Sequence, residues 1–192
     1  VSADVIDGFY PVSEDIKKLS LVTYLSDITF SLLGEANPDK RILALFLNAV
    51  YAAAYRDEMW QKLKTVYELK LMSLGGFLPK LDKCMVCGGA PEYFSCDKGS
   101  VVCRLHHSAG DIKLDEVLLS LMRYISACEI KKMLSFNVEN QDVFGRLNEI
   151  TEKYVRLQCD MEFKSLKYFY AICDIYYILG ISKPCILLSA SL

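Results

Sequence analysis

Four cysteines and both histidines of the chain fall in one stretch, CMVCGGAPEYFSCDKGSVVCRLHH, residues 84–107. Cys84 and Cys87 form a Cys-x2-Cys pair, and Cys103 and His106 form a Cys-x2-His pair after fifteen intervening residues. One such turn can aim two thiolates at a single ion. A second turn completes a tetrahedron of sulfur and imidazole donors, which suits zinc. Gly88 and Gly89 let the backbone curl around the ion. Between the pairs, PEYFS and SVVC have strand composition and CDKG reads as the turn joining them. The stretch predicts a zinc-ribbon-like hairpin with Cys84, Cys87, Cys103 and His106 as ligands. His107 is an alternative to His106. Cys96 competes for one of the four places, although its position in the predicted turn argues against it.

Four protein ligands close the coordination shell, whereas a catalytic zinc keeps a position for water beside a general base. The chain has no His-Glu-x-x-His, no His-x-Glu ahead of a Cys-x2-Cys, no phosphate-binding loop and no Gly-x-Ser-x-Gly elbow. Asp57-Glu58 and Asp115-Glu116 sit at predicted helix starts, where capping and the helix dipole account for them. The expectation is one structural zinc and no enzymatic activity. A thiol redox role for Cys84 and Cys87 would need a βαβ setting that the pattern lacks. Zinc removal is expected to disorder residues 80–110 and spare the rest.

The elements that must position this cluster read as helices. Ile16, Leu19, Val22, Leu25 and Leu32 recur at helical spacing over 13–33, with Ser13 as the cap. Asn37-Pro38 opens a second helix that runs to about Tyr55. It is apolar on most sides, which predicts a central place in a bundle. A third helix covers 57–74 and stops at Gly75-Gly76. KLDEVLLSLMRYISAC resumes the helical pattern after the cysteines, and a last long helix covers 141–179 with room for one break. The predicted fold is mainly α, a helical bundle with a small zinc-ribbon-like β insertion. Residues 1–79 and 111–180 form the bundle, 80–110 the zinc-binding insertion, and 181–192 a tail of unassigned origin.

The chain has 192 residues, 53% hydrophobic and 24% charged, enough for one core. It has no apolar run of membrane-spanning length and no signal peptide pattern. It starts at Val1, so the expectation is a fragment of a longer protein. Cys128, Cys159 and Cys173 fall among helical apolar residues and read as free buried thiols in a reducing cytoplasm. Net charge is −2, which argues against binding nucleic acid by sheer positive charge. Residues 61–110 nevertheless hold seven Lys/Arg against four Asp/Glu, so the positive surplus surrounds the cysteines.

The stretch ELKLMSLGGFLPKLDKCMVCG, a helix ending in a Leu-Gly-rich, Pro-containing run just before a Cys-x2-Cys, resembles the RecO family of DNA repair and recombination mediators. YVRLQCDMEFKSLKYF is similar to that family's closing helix, and the resemblance covers roughly residues 5–170. It implies an upstream oligonucleotide-binding barrel followed by a helical domain with a zinc-binding insertion. It also implies a non-enzymatic role in the bacterial cytoplasm, associated with the nucleoid. Implied partners are single- and double-stranded DNA, the acidic tail of the single-stranded-DNA-binding protein, and RecR. The implied work is strand annealing and help in loading RecA. Two features depart from the family: His106 stands where many relatives have cysteine, and ISKPCILLSASL differs from the usual polar ending. Some members lack the ligands, so the metal is not expected to be essential to activity.

Candidate phosphate contacts are Lys80, Lys83, Lys98 and Arg104 near the cluster. Lys153, Arg156, Lys164 and Lys167 form a second set along one face of the last helix, interrupted by Asp160. Without the barrel, DNA binding is expected to be weak and steeply salt-dependent. The peptide tail would enter an apolar slot with a basic rim between bundle helices. The alternative is a zinc-ribbon protein–protein adaptor or transcription regulator with no direct DNA role.

Overall fold

The computed structural model describes residues 7–33, 39–56, 59–138 and 140–180. Its helices are α1 (Tyr10–Ser13), α2 (Ile16–Leu33), α3 (Lys40–Tyr55), α4 (Trp60–Leu74), α5 (Glu116–Ala127), α6 (Asp142–Cys159) and α7 (Lys164–Ile178). A 3-10 turn covers Ile130–Lys132. Three short strands lie between α4 and α5: β1 (Tyr93–Ser95), β2 (Ser100–Val102) and β3 (Ile112–Lys113). The protein is thus mainly α with a small sheet. Among the described residues, no helix is long and apolar enough to cross a membrane.

The starts of α2, α3 and α5 follow side-chain chemistry, with one correction. Ser13 does not cap α2; it closes α1, and its hydroxyl donates to Tyr10 O. The cap is Asp15, whose carboxylate accepts the N–H groups of Lys17 and Lys18. Asp39 caps α3 by accepting Arg41 N–H at 2.7 Å, and Asp115 caps α5 through Leu118 N–H at 2.8 Å. The expected Asn37-Pro38 start, Asp57-Glu58 and the 181–192 tail lie outside the described residues.

The expectation that the second helix is central is overturned. On α3, Leu43, Leu47, Tyr51 and Tyr55 are all exposed. The central helix is α4, in which every residue from Leu63 to Met72 is buried, Lys64, Thr65, Glu68 and Lys70 included. It packs against α2, α3, α5 and α6. The sequence pattern does not show this, because three of its four buried polar side chains, Lys64, Glu68 and Lys70, find partners on other helices. This also trims the expected surface charge, because Lys64 and Lys70 of the 61–110 surplus are inside. Of the three thiols expected to be buried, Cys173 is; Cys128 and Cys159 are half-buried.

The last helical stretch breaks once. Asp160 takes the left-handed conformation, φ +51°, which Asp tolerates better than most residues. Met161 N–H closes back on Arg156 O. Phe163 then turns inward, edge-on to Tyr24 with ring centroids 5.9 Å apart.

The sheet is antiparallel, in the order β2-β1-β3. Its turn is Cys96–Gly99, the predicted CDKG. Pairing sets Phe94 against Val101 and Ile112, and Tyr93 against Val102 and Lys113. Side chains alternate across a strand, so the two faces differ. Phe94 and Val101, with Cys96 of the turn, join the same core cluster as Ile150 and Tyr154 of α6. Val102 faces the other way and forms a separate small cluster with Cys84 and Cys103, against which Tyr93 packs.

Candidate metal centre

The approach to the first cysteines is held by the hairpin. Lys80 N–H donates to Gly99 O at 2.9 Å, and Val101 N–H donates to Lys80 O at 3.0 Å. Arg123 of α5 adds an anchor, donating to Leu81 O at 2.6 and 3.1 Å and to Asp82 O at 3.2 Å. Met85 N–H then reaches Val101 O at 3.0 Å, and the chain turns. Gly88 N–H donates to Cys84 O at 2.8 Å, and Cys84 N–H to Gly89 O at 2.9 Å. Gly88 has φ +73°, a left-handed position that only glycine occupies freely. The second turn is shorter: His106 N–H donates to Cys103 O at 3.0 Å.

These two turns bring Cys84 Sγ, Cys87 Sγ, Cys103 Sγ and a ring nitrogen of His106 within 4.8 Å of one another. Cys87 and Cys103 sulfurs are 3.7 Å apart. Nδ1 of His106 is 3.2 Å from Cys103 Sγ and 3.8 Å from Cys84 Sγ. A disulfide needs about 2.05 Å between sulfurs. A tetrahedral ion with metal–sulfur bonds of about 2.3 Å sets them about 3.8 Å apart. The geometry therefore fits a tetrahedral ion and not a disulfide.

Electrostatics agree. Burial works to raise the Cys84 thiol, but backbone N–H groups of Cys87, Val86 and Cys103 outweigh it and bring it down to about 6. The Cys87 thiol is aided by Gly89 N–H, yet its contacts with Cys103 and Cys84 push it up overall.

The two alternative ligands are placed elsewhere. His107 stacks on Tyr93, with centroids 4.1 Å apart and planes 10° from parallel. Cys96 is buried under the sheet with Sγ toward Ile150 O, and burial pushes its thiol up to about 12. The fastening of the turn to α6 is clear in Gln158, whose amide donates to Cys96 O and Asp97 O at 2.9 and 3.0 Å. Tyr154 adds a hydrogen bond to Phe77 O at 2.8 Å. Gly99 is required here: its φ is +58°, and a Cβ would stand 2.8 Å from Tyr154 Oη.

The candidate phosphate contacts divide. Lys80, Lys83, Lys98 and Arg104 are all exposed, Lys98 in the hairpin turn that α6 fastens. The second set does not share one helix face, since the left-handed turn at Asp160 puts Lys153 and Arg156 on α6 and Lys164 and Lys167 on α7. Lys153 donates to Gly110 O at 2.6 Å, and Lys167 pairs with Glu162 at 2.6 Å. Lys153, Arg156 and Lys167 instead rim a groove of about 460 Å³ between α6 and α7. Val155, Met161, Phe163 and Leu166 supply its apolar wall, and Asn148, Glu152 and Tyr170 line it as well. Lys164 does not line it.

The polar lining belongs to a buried network. Lys64 Nζ lies 2.8 Å from both Glu68 and Glu152 and donates to Asn148 Oδ1 at 2.9 Å. Glu68 also accepts hydrogen bonds from Tyr24 and Thr151, each 2.5 Å. Glu152 accepts from Tyr170 and from Asn148. Burial, above all, raises the Glu68 carboxyl, with Lys64 acting against it. Sequence reasoning missed this network. Its only linear trace is the i,i+4 spacing of Lys64 and Glu68, which also describes an ordinary surface pair.

A helical bundle with a Cys3His cluster at the edge of a small antiparallel sheet defines a helical protein with a site that could hold a metal ion, rather than a free-standing zinc ribbon. The chain belongs to the Recombination protein O C-terminal family, which matches residues 13–167. It is 27% identical over 172 residues to the DNA repair protein RecO of Acetivibrio thermocellus, covering 87% of this chain and 68% of that one. It is 30% identical over 169 residues to the RecO of a Thermoanaerobacter species, covering 84% and 66%. For the RecO of Caldanaerobacter subterraneus the identity is 26% over 175 residues, covering 89% and 70%.

Proposed function

We propose that the chain serves DNA repair as the helical, metal-binding part of a RecO-type recombination mediator, acting by binding rather than by bond-making chemistry. The observation that carries this is the family match over residues 13–167, with the whole Cys/His cluster inside it. The bundle and the small sheet form the helical, metal-bearing part in this reading, and its setting is the bacterial cytoplasm and nucleoid.

The proposed ligands are Cys84, Cys87, Cys103 and His106, and the proposed ion is zinc, which favours a tetrahedral set of thiolates and imidazole. Bound zinc supplies a cross-link between the two turns. With all four positions filled by protein, no site remains for a reacting water. The cross-link fixes the surface that carries Lys80, Lys83, Lys98 and Arg104, the proposed phosphate contacts for single- and double-stranded DNA.

The α6–α7 groove is the proposed slot for the acidic tail of the single-stranded-DNA-binding protein. Its apolar wall suits an aromatic end, and Lys153, Arg156 and Lys167 suit acidic neighbours. RecR partnership and RecA loading follow from the same family reading.

Fluorescence anisotropy with a labelled oligonucleotide at low salt, and with a labelled acidic tail peptide, tests the reading. Saturable binding of both is expected, with one zinc per chain by elemental analysis. Absence of binding in both assays overturns the mediator role for this chain. Met161→Glu adds an acid to the groove wall and is expected to weaken peptide binding at least about tenfold, leaving oligonucleotide binding intact.

A further inference from the structure

We infer that the outward face of the sheet, centred on the Tyr93–His107 stack, is a stacking platform for a base of single-stranded DNA. The inference rests on the DNA-binding reading above and adds a site to it.

The platform is built by register and by the metal turn together. Tyr93 sits in the middle strand, with Val102 opposite it on one side and Lys113 on the other. Directly opposed residues share a face, so the row across the sheet runs Val102, Tyr93, Lys113. His107 follows the second metal turn directly, and its ring lies 4.1 Å above Tyr93, within 10° of parallel. Tyr93 covers one face of the imidazole; the opposite face points away from the sheet, and His107 is exposed. A flat ring held in place on one side and open on the other is what a nucleobase stacks on, and stacking is indifferent to base identity.

Cations stand where the neighbouring phosphates would pass. Lys113 and Arg104 are exposed, and among the described residues neither side chain has a hydrogen bond or an ion pair. Two nearby acids are engaged: Asp111 accepts from Ser95 Oγ and Ser108 N–H at 2.5 and 2.7 Å, and Asp115 pairs with Arg146. A dication held by three thiolates and one neutral imidazole keeps a single net negative charge. Lys83, Arg104 and Lys113 offset that charge together with those of Asp82 and Glu92. Met85, Val86 and Leu105 are also exposed on the two metal turns, but an open ring beside unpaired cations matches a base and its phosphates.

The test uses the metal-loaded chain, a labelled oligo-dT and an abasic strand of equal length, at several salt concentrations. Wild type is expected to prefer the base-bearing strand. His107→Ala should weaken oligo-dT binding by about fivefold or more, leave the abasic strand unaffected and keep its metal. His107→Phe should restore the preference. Lys113→Ala should weaken both strands alike and lower the salt slope by about 0.7. If wild type binds DNA but shows no preference for bases, or His107→Ala matches wild type on both strands, the platform is overturned while the DNA-binding reading stands. Loss of metal in His107→Ala also overturns it, because the ring would then be a ligand. If wild type binds neither strand, the platform and the DNA-binding reading fall together, and the peptide assay alone decides the rest.

Discussion

Two polar clusters in this molecule are built in opposite ways. The candidate metal centre draws Cys84, Cys87, Cys103 and His106 from two short turns of one chain segment, where Cys84 and Cys103 pack with Val102 in a small outer cluster. The network around Lys64 takes its members from α2, α4, α6 and α7: Tyr24, Lys64, Glu68, Asn148, Thr151, Glu152 and Tyr170. One is local in the chain and lies outside the main core. The other is scattered along the chain and sits at its centre. The contrast teaches that a legible motif need not be the feature on which the fold depends.

The sharpest way to break this contrast is Lys64→Met. It removes the cation between Glu68 and Glu152 and leaves two carboxylates facing each other in the core. A loss of about 3–5 kcal/mol is expected from the denaturant midpoint. A change near zero would mean that the network is incidental.

The next largest effect falls on the link between the regions. Tyr154 donates to Phe77 O while its ring packs edge-on to Phe94, centroids 5.4 Å apart. Tyr154→Phe leaves that carbonyl without a partner and should cost about 1–2 kcal/mol. Hydrogen exchange should rise in the 77–82 approach before it rises in the helices.

Metal removal is expected to be milder for the fold than either substitution. A chelator should free amide exchange at residues 84–89 and 103–107 and leave the helical circular dichroism signal unchanged. Because Phe94 and Val101 are tied into the main core, their amides should stay protected. The disordering is thus expected to be narrower than the whole 80–110 segment. Collapse of the helical signal would erase the distinction between the two clusters.

Glu68→Gln gives the smallest change, seen as a slope rather than a midpoint. The folded pKa of Glu68 is raised from 4.5. Stability that depends on its protonated form is present below that value and is lost as pH rises through the folded pKa. The amide should flatten stability against pH across this window while Lys64 keeps Glu152 as partner. An unchanged slope would assign the pH dependence to another group.

Much of this was legible in the sequence, but unevenly. The convergence of Cys84, Cys87, Cys103 and His106 was readable because side-chain direction is set by spacing within a turn, and CDKG because a hairpin turn is chosen by its own residues. Helix existence was readable from periodicity. Helix rank was not: the apolar α3 leaves Leu43 and Leu47 exposed, and the polar-looking α4 is the central helix. The basic face expected from Lys153 to Lys167 was misread, because one left-handed residue, Asp160, resets the helical phase. β3 was not anticipated, since two residues carry too little pattern.

The sequence by itself determined what depends on neighbours along the chain: the Cys/His cluster, the hairpin, the capped helices and the family to which they belong. Tertiary structure alone decided what depends on distant segments meeting. It chose His106 Nδ1 to face the sulfurs and stacked His107 on Tyr93. It put Cys96 under the sheet, opened a groove between α6 and α7, and closed Lys64 between two glutamates. The physical reason is that turns and caps are satisfied by contacts a few residues away. Burial and ion pairing are satisfied only by partners that folding brings together.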